Sequence, residues 1–269
     1  MHRLFEVTLT DYELKMLNIL SDLKANHHAS ALKVEFETEG AAFEEASYLA
    51  KLARTVGLDF VIKIGGCAAV SDIKMAKELN AAAIVAPMIE SAYAFRKFIE
   101  SIDMICDNAY KPELYINIET VSGVACINDI ISTPYFNRLS GIVFGRTDMV
   151  QSLGNSTDTV ESADTLITAR YIAKKVLETG KRFIIGGGIS SKSSAFLHSI
   201  DLSGFETRKI IFDKQELSNL SCSGIVKAIE FEILWYKSKN LLFGNNTFAE
   251  NERLEVLQKR YEEDTSLKL

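Results

Sequence analysis

Two carboxylates in this chain stand at the ends of strand-like runs and could share one cation. The stretch LYINIET, residues 114–120, alternates apolar Ile116 and Ile118 with polar Tyr115, Asn117 and Glu119. A strand sends alternate side chains to opposite faces, so one face is apolar and the other carries a hydroxyl, an amide and a carboxylate. Further on, GIVFGRTDMVQSLG runs from a strand into a loop that holds Asp148. Carboxylates from adjacent strand ends, with positions left for water and substrate, suit a hard divalent cation such as Mg²⁺ or Mn²⁺. Taken alone, Gly-x-x-Asp is a weak signal, because a turn Asp commonly caps its own backbone.

The elements that must position these groups recur along the chain. Apolar strand-like runs lie at 32–37, 59–65, 81–86, 114–119, 140–145, 182–187 and 208–213, and helical stripes fill most gaps between them. Strand–helix alternation with β-branched strands means a parallel sheet covered by helices. Seven runs leave one to find for a (β/α)₈ TIM barrel, and LFEVTL near the N-terminus supplies it or forms a capping helix. A doubly wound open sheet is the alternative, but no G-x-G-x-x-G follows the first strand. The division expected is a barrel over 1–213 and a C-terminal helical extension over 214–269, packed on the barrel or on a neighbouring subunit.

In a barrel, the polar face of LYINIET looks at the axis. Lys33, Glu35 and Glu37 share that face on one strand and Lys63 on the next, and active sites of such barrels lie at the C-terminal strand ends. Charges in this interior are paired, hydrogen-bonded or metal-bound. Lys33 with Glu35 reads as a deep structural ion pair and Lys63 with Glu37 as a pair nearer the mouth. FIIGGGISSKSS puts three glycines before serines at a strand–helix junction. Backbone N–H groups there can cradle a carboxylate or phosphate at Gly187, Gly188 and Ser190, although a tight turn explains the pattern nearly as well.

Composition bounds the rest. A net charge of −6 with no basic cluster argues against nucleic-acid binding. Four separated cysteines, without a CxxC pair, read as reduced thiols of a cytoplasmic protein. The longest apolar run is about half of a membrane span. CSGIVKAIEFEILWYKSKNLL is apolar around much of its circumference, which points to burial in a homo-oligomer interface, a trimer or hexamer. AENERLEVLQKRYEED reads as a solvated helix.

INIETVSGVACINDI followed by LSGIVFGRTDMVQSLG resembles the paired signature of the HpcH/HpaI-type aldolase and citrate lyase β-subunit family, and IVAPMIESAYAFRKFI resembles its Val-Pro-Met segment. The similarity spans roughly residues 32–190. It implies that Glu119 and Asp148 bind the metal, with Met149 in place of the usual Leu, and that the enzyme makes or breaks a C–C bond through a pyruvate-type enolate of a 2-oxo acid. Two departures stand out. The family's catalytic His is missing where this chain has Glu35, Phe36, Glu37 and Thr38, so Glu37 or a water is the candidate base. The family's strand Arg is replaced by Lys63, leaving Arg146, beside Gly145, as the candidate guanidinium for the substrate. A Schiff-base aldolase using Lys63 and a non-catalytic ligand-binding relative are the alternative readings.

Overall fold

The computed structural model describes residues 2–36, 39–218, 223–244 and 246–266. Eight strands close into a barrel: β1 (Ala29–Glu35), β2 (Asp59–Lys63), β3 (Ala83–Ala86), β4 (Glu113–Ile118), β5 (Gly141–Gly145), β6 (Arg182–Gly186), β7 (Gly204–Glu206) and β8 (Ile210–Asp213). Helices α1 (His2–Asn26), α2 (Phe43–Val56), α3 (Val70–Glu78) and α4 (Ala92–Ile105) come first. Then come α5 (Val121–Ala125), α6 (Ile127–Ile131), α7 (Arg146–Ser152), α8 (Ala163–Leu177), α9 (Ser194–His198), α10 (Ser223–Leu242) and α11 (Phe248–Ser266). Among the described residues, no helix is long and apolar enough to cross a membrane.

The expected α/β barrel is present, with one change of direction. Neighbours from β1 through β7 pair in parallel. β8 runs antiparallel to both β7 and β1. The missing strand is therefore not LFEVTL, which lies in helix α1, but the three-residue β7. Thr207 folds the chain back: its N–H donates to the Ile210 carbonyl at 2.9 Å, and the Ile210 N–H donates to its Oγ1 at 3.1 Å. Phe205 and Phe212 then stack across the hairpin with ring centroids 5.0 Å apart, a gain beyond their buried area.

Period-two alternation decides what faces where. Leu32 and Val34, Phe60 and Ile62, Ile116 and Ile118, and Phe183 and Ile185 join the cluster between barrel and helices. Ala31, Val61, Val85, Tyr115, Val143, Ile184 and Ile211 form a separate cluster inside the barrel, so the axis is a packed core below its mouth.

The apolar circumference of α10 is covered within one chain. Ile229, Phe231, Ile233, Trp235 and Tyr236 are buried, with α1 and α11 packed against the helix and Tyr48 stacked on Trp235 at 6.0 Å. The apolarity that suggested an oligomer interface is thus satisfied by intramolecular packing. The helix read as solvated, α11, also differs from expectation: Leu257 is fully buried and its cationic side chains reach the barrel mouth.

Candidate active site

Above the apolar plug, the inward positions turn charged. Lys33 lies between two carboxylates, Glu35 at 3.0 Å and Glu206 in close contact, and all three are buried. Against the opposing effect of burial, Lys33, then Lys63 and Arg208, hold the Glu35 carboxyl down at about 2. Burial pushes Glu206 the other way, upward, despite Lys33. The expected Lys33–Glu35 pair is present. Its third member, Glu206, escaped the sequence because β7 did.

A cavity of about 810 Å³ opens at the C-terminal strand ends, lined there by Glu35, Lys63, Glu119, Gly145, Gly186 and Glu206. Glu119, immediately after β4, is 2% exposed. Its Oε1 accepts the Met88 N–H at 3.0 Å and its Oε2 accepts from Asn117 Nδ2 at 2.7 Å. Lys63 Nζ lies 3.7 Å from the same Oε2. Met88 holds a positive φ of 46°, an uncommon conformation for a long side chain, and the strained backbone aims its N–H at Glu119. Burial drives the Glu119 carboxyl upward, Lys63 opposes this, and Asp148 adds to the rise.

Register explains how a carboxylate fits here. Ile118 pairs with Phe144, and Gly145 with Gly186, so Glu119 passes alongside Gly145. A Cβ on Gly145 would meet Glu119 Oε2 at 2.5 Å and its Cβ at 2.8 Å. Only glycine leaves that lane clear. Asp148, in the first turn of α7, lines the same cavity. Its carboxylate makes no hydrogen bond or ion pair among the described residues.

The other expected residues divide. Lys63, Gly145, Gly187, Gly188 and Ser190 line the cavity with Glu119 and Asp148. Arg146 does not. Fully buried, it donates to the Gly186 and Gly187 carbonyls at 3.3 and 3.0 Å, and to Glu161 at 3.1 Å, and lies 4.7 Å over the Phe196 ring. A residue opening a helix directs its side chain back toward the helix N-terminus, and here that direction is closed by the β6 end. Arg146 therefore fastens α7, which carries Asp148, to the barrel rather than offering a guanidinium to a ligand. Gly187, with φ 80°, permits the contact: a Cβ there would meet the Thr147 nitrogen at 2.5 Å. The Ser190 N–H donates to Ser193 Oγ at 3.1 Å in a capping box, so that backbone donor is already engaged. Glu37, the candidate base, lies outside the described residues.

Several lining residues were not anticipated. Arg208 sits at the turn of the β7–β8 hairpin, and Arg253, Lys259 and Arg260 come from α11. Arg253 binds both oxygens of the buried Glu232, at 3.0 and 3.3 Å. Polar helix positions that face a cavity carry the same residue types as those facing water, so α11 gave no signal. Among the described residues, no group of three or more His, Cys, Asp or Glu side chains is placed to hold a metal ion.

The sequence model of the HpcH/HpaI aldolase/citrate lyase family matches residues 42–190. That segment holds Lys63, Glu119 and Asp148, and omits β1, β7, β8, α10 and α11. Among curated proteins, no sequence matches. Solved structures share the fold at low identity. An HpcH/HpaI aldolase from Desulfitobacterium hafniense superposes with a TM-score of 0.57 at 16% identity, over 81% of this chain and 89% of that one. The citrate synthase SbnG gives 0.54 at 16% over 80% and 89%. An HpcH/HpaI aldolase/citrate lyase family protein from Burkholderia cenocepacia gives 0.54 at 13% over 78% and 90%.

Proposed function

The chain belongs to the HpcH/HpaI aldolase/citrate lyase family, and from that premise we propose a carbon–carbon lyase that acts on a 2-oxo acid with Mg²⁺ or Mn²⁺. One observation carries the metal reading. Glu119 and Asp148, two like charges, face one cavity, and Asp148 has no counter-charge among the described residues. Such a pair is held together most economically by a hard cation with oxygen ligands. The residues fit it: both donors are carboxylates, and Gly145 leaves the lane beside Glu119 open.

A divalent ion held there would polarise the 2-oxo group and stabilise the enolate released by C–C cleavage. The chain's own groups do the rest. Asn117 and the Met88 N–H fix the Glu119 carboxylate, and Lys63 offers a point charge to the substrate carboxylate. Retro-aldol cleavage needs a base for the hydroxyl proton. We assign it to Glu37, acting directly or by ordering a water, and Glu37→Gln should cost about 10²-fold in kcat.

Exchange of the pyruvate methyl protons in D₂O, followed by NMR, tests the enolate half. The exchange should require Mg²⁺ or Mn²⁺ and vanish in Asp148→Asn. Exchange that persists in EDTA would remove the metal from the mechanism. The burial of Lys63 inside the cavity supports a second reading, a Schiff base. Attack on a carbonyl needs an unprotonated amine, whereas a carboxylate 3.7 Å away favours an electrostatic use of the ammonium. Borohydride with substrate that leaves a covalent adduct on Lys63 would reverse this preference.

A further inference from the structure

Asp148 can hold a cation only where α7 puts it, and α7 has little of its own to fix its start. The helix has seven residues, and its cap, Gly145, has no side chain to bond the first amides. Arg146, two positions before Asp148, seats it instead. Besides the Gly186 and Gly187 carbonyls, its guanidinium donates to Ser193 Oγ at 3.4 Å and to Glu161 Oε1 at 3.1 Å.

A guanidinium buried this deeply needs a counter-charge. Burial pulls the Arg146 pKa below its ordinary value, and Glu161 is the charge that opposes this. Among the described residues, Glu161 is also the one carboxylate that forms an ion pair with Arg146. The same Oε1 accepts a second hydrogen bond, from Ser193 Oγ at 2.6 Å, and that hydroxyl accepts the Ser190 N–H. One carboxylate oxygen therefore ties the start of α7 to the turn that follows β6. Removing one partner of such a buried pair leaves a bare charge behind, which is the costly outcome.

Glu161 belongs to the segment between α7 and α8 and lines the cavity with Thr157 and Val160. Residues 151–158 are exposed. Val160 is buried beside Gly188, where an added Cβ would meet its Cγ2 at 3.3 Å. On the other side, Ser162 caps α8 by accepting the Thr165 N–H. Glu161 is thus held between two fixed neighbours, at the end of an otherwise exposed stretch.

We propose that Glu161 is a positioning residue: by compensating the buried Arg146 it holds α7 in place, and Asp148 with it. It acts through Arg146 rather than on the cation. The consequence for metal binding rests on the metal reading of Asp148 above, whereas the hold on α7 does not.

Titration of the full chain with Mn²⁺, read by the electron paramagnetic resonance of the free ion, tests it without turnover. Glu161→Gln should weaken Kd about tenfold, the lower end of what loss of a group that orients a metal ligand costs. Glu161→Asp, with the charge on a shorter arm, should fall between Glu161→Gln and the parent. Thermal melting shows which variants fold; if Glu161→Gln does not, Glu161→Asp is read in its place. A parent-like Kd in the variant read overturns the assignment. Glu263→Gln removes another carboxylate from the same cavity, one paired with Lys192, and should leave Kd unchanged. Equal weakening there would reduce the effect to cavity charge and overturn it as well. In an Arg146→Met background, Glu161→Gln should add no further loss; an additive loss would mean that Glu161 does not act through Arg146. Amide hydrogen exchange over α7, measured without metal, should quicken in Glu161→Gln and not in Glu263→Gln. A parent protein that binds no Mn²⁺ refutes the metal reading, and the exchange then decides on Glu161 alone, unchanged exchange overturning its role.

Discussion

Two groups of buried charge share the barrel axis, and they are built differently. Deep in it, Lys33, Glu35 and Glu206 compensate one another. At the mouth, Glu119 is held by two donors and an ion pair with Lys63, whereas Asp148 lines the same cavity with no partner among the described residues. In the deep group both carboxylates have Lys33 as a counter-charge, although Glu206 Oε2 accepts no hydrogen bond, whereas at the mouth Asp148 has no counter-charge among the described residues. Ionisable residues in a barrel interior are therefore no sign of chemistry by themselves; a charge whose counter-charge the chain does not provide is.

Breaking the deep group gives the largest effect. Lys33→Ala removes the nearest counter-charge of two buried carboxylates and should cost about 3–5 kcal/mol of stability, read by urea denaturation. Replacing all three members by apolar residues of similar volume should cost far less, because breaking a buried pair is what carries the penalty. A triple variant as unstable as Lys33→Ala would contradict the view that the group is closed upon itself. At the mouth, Gly145→Ala should cost about 1–3 kcal/mol by overpacking, since its Cβ collides with Glu119, and should remove metal binding as well. Retained metal binding in that variant would mean the Glu119 lane is wider than drawn.

The same contrast appears in pH dependence. Glu35 is lowered from 4.5 to about 2 in the folded chain. Its contribution to stability is therefore present above about 4.5 and lost as pH falls toward about 2. Glu206, raised by burial, contributes with the opposite sign and loses its contribution as pH rises through its folded value. Glu35→Gln should flatten the acid limb of stability against pH below about 4.5, seen in melting temperatures from pH 2 to 6. An unchanged acid limb would deny Lys33 its hold on Glu35.

The sequence made the mouth more legible than the closure of the barrel. β1 to β6 carry runs of β-branched and aromatic residues long enough for period two to show, and that period put Glu119, Lys63 and Asn117 on the axis. β7 has three residues, too few for a period, and with it went Glu206 and the setting of Arg208. LFEVTL alternates like a strand yet lies in α1, since six residues are too few to tell the two periods apart. Arg146 was legible as a residue type, but not as a fastener, because its partners are carbonyls 40 and 41 positions away. The inner face of α11 stayed hidden, since charge pattern cannot tell a cavity from solvent.

The central claim is that Glu119 and Asp148 together hold a divalent cation, and thermal melting with and without Mg²⁺ or Mn²⁺ tests it most directly. Metal that binds only the folded chain stabilises it by about 2.7 kcal/mol at a hundredfold excess over Kd, so the parent protein's Tm should rise clearly. Asp148→Asn, at a carboxylate with no hydrogen bond or ion pair among the described residues, should melt within about 0.5 kcal/mol of the parent without metal and gain nothing when metal is added. A parent protein that does not respond to either ion, or an Asp148→Asn variant that responds equally, would contradict the account.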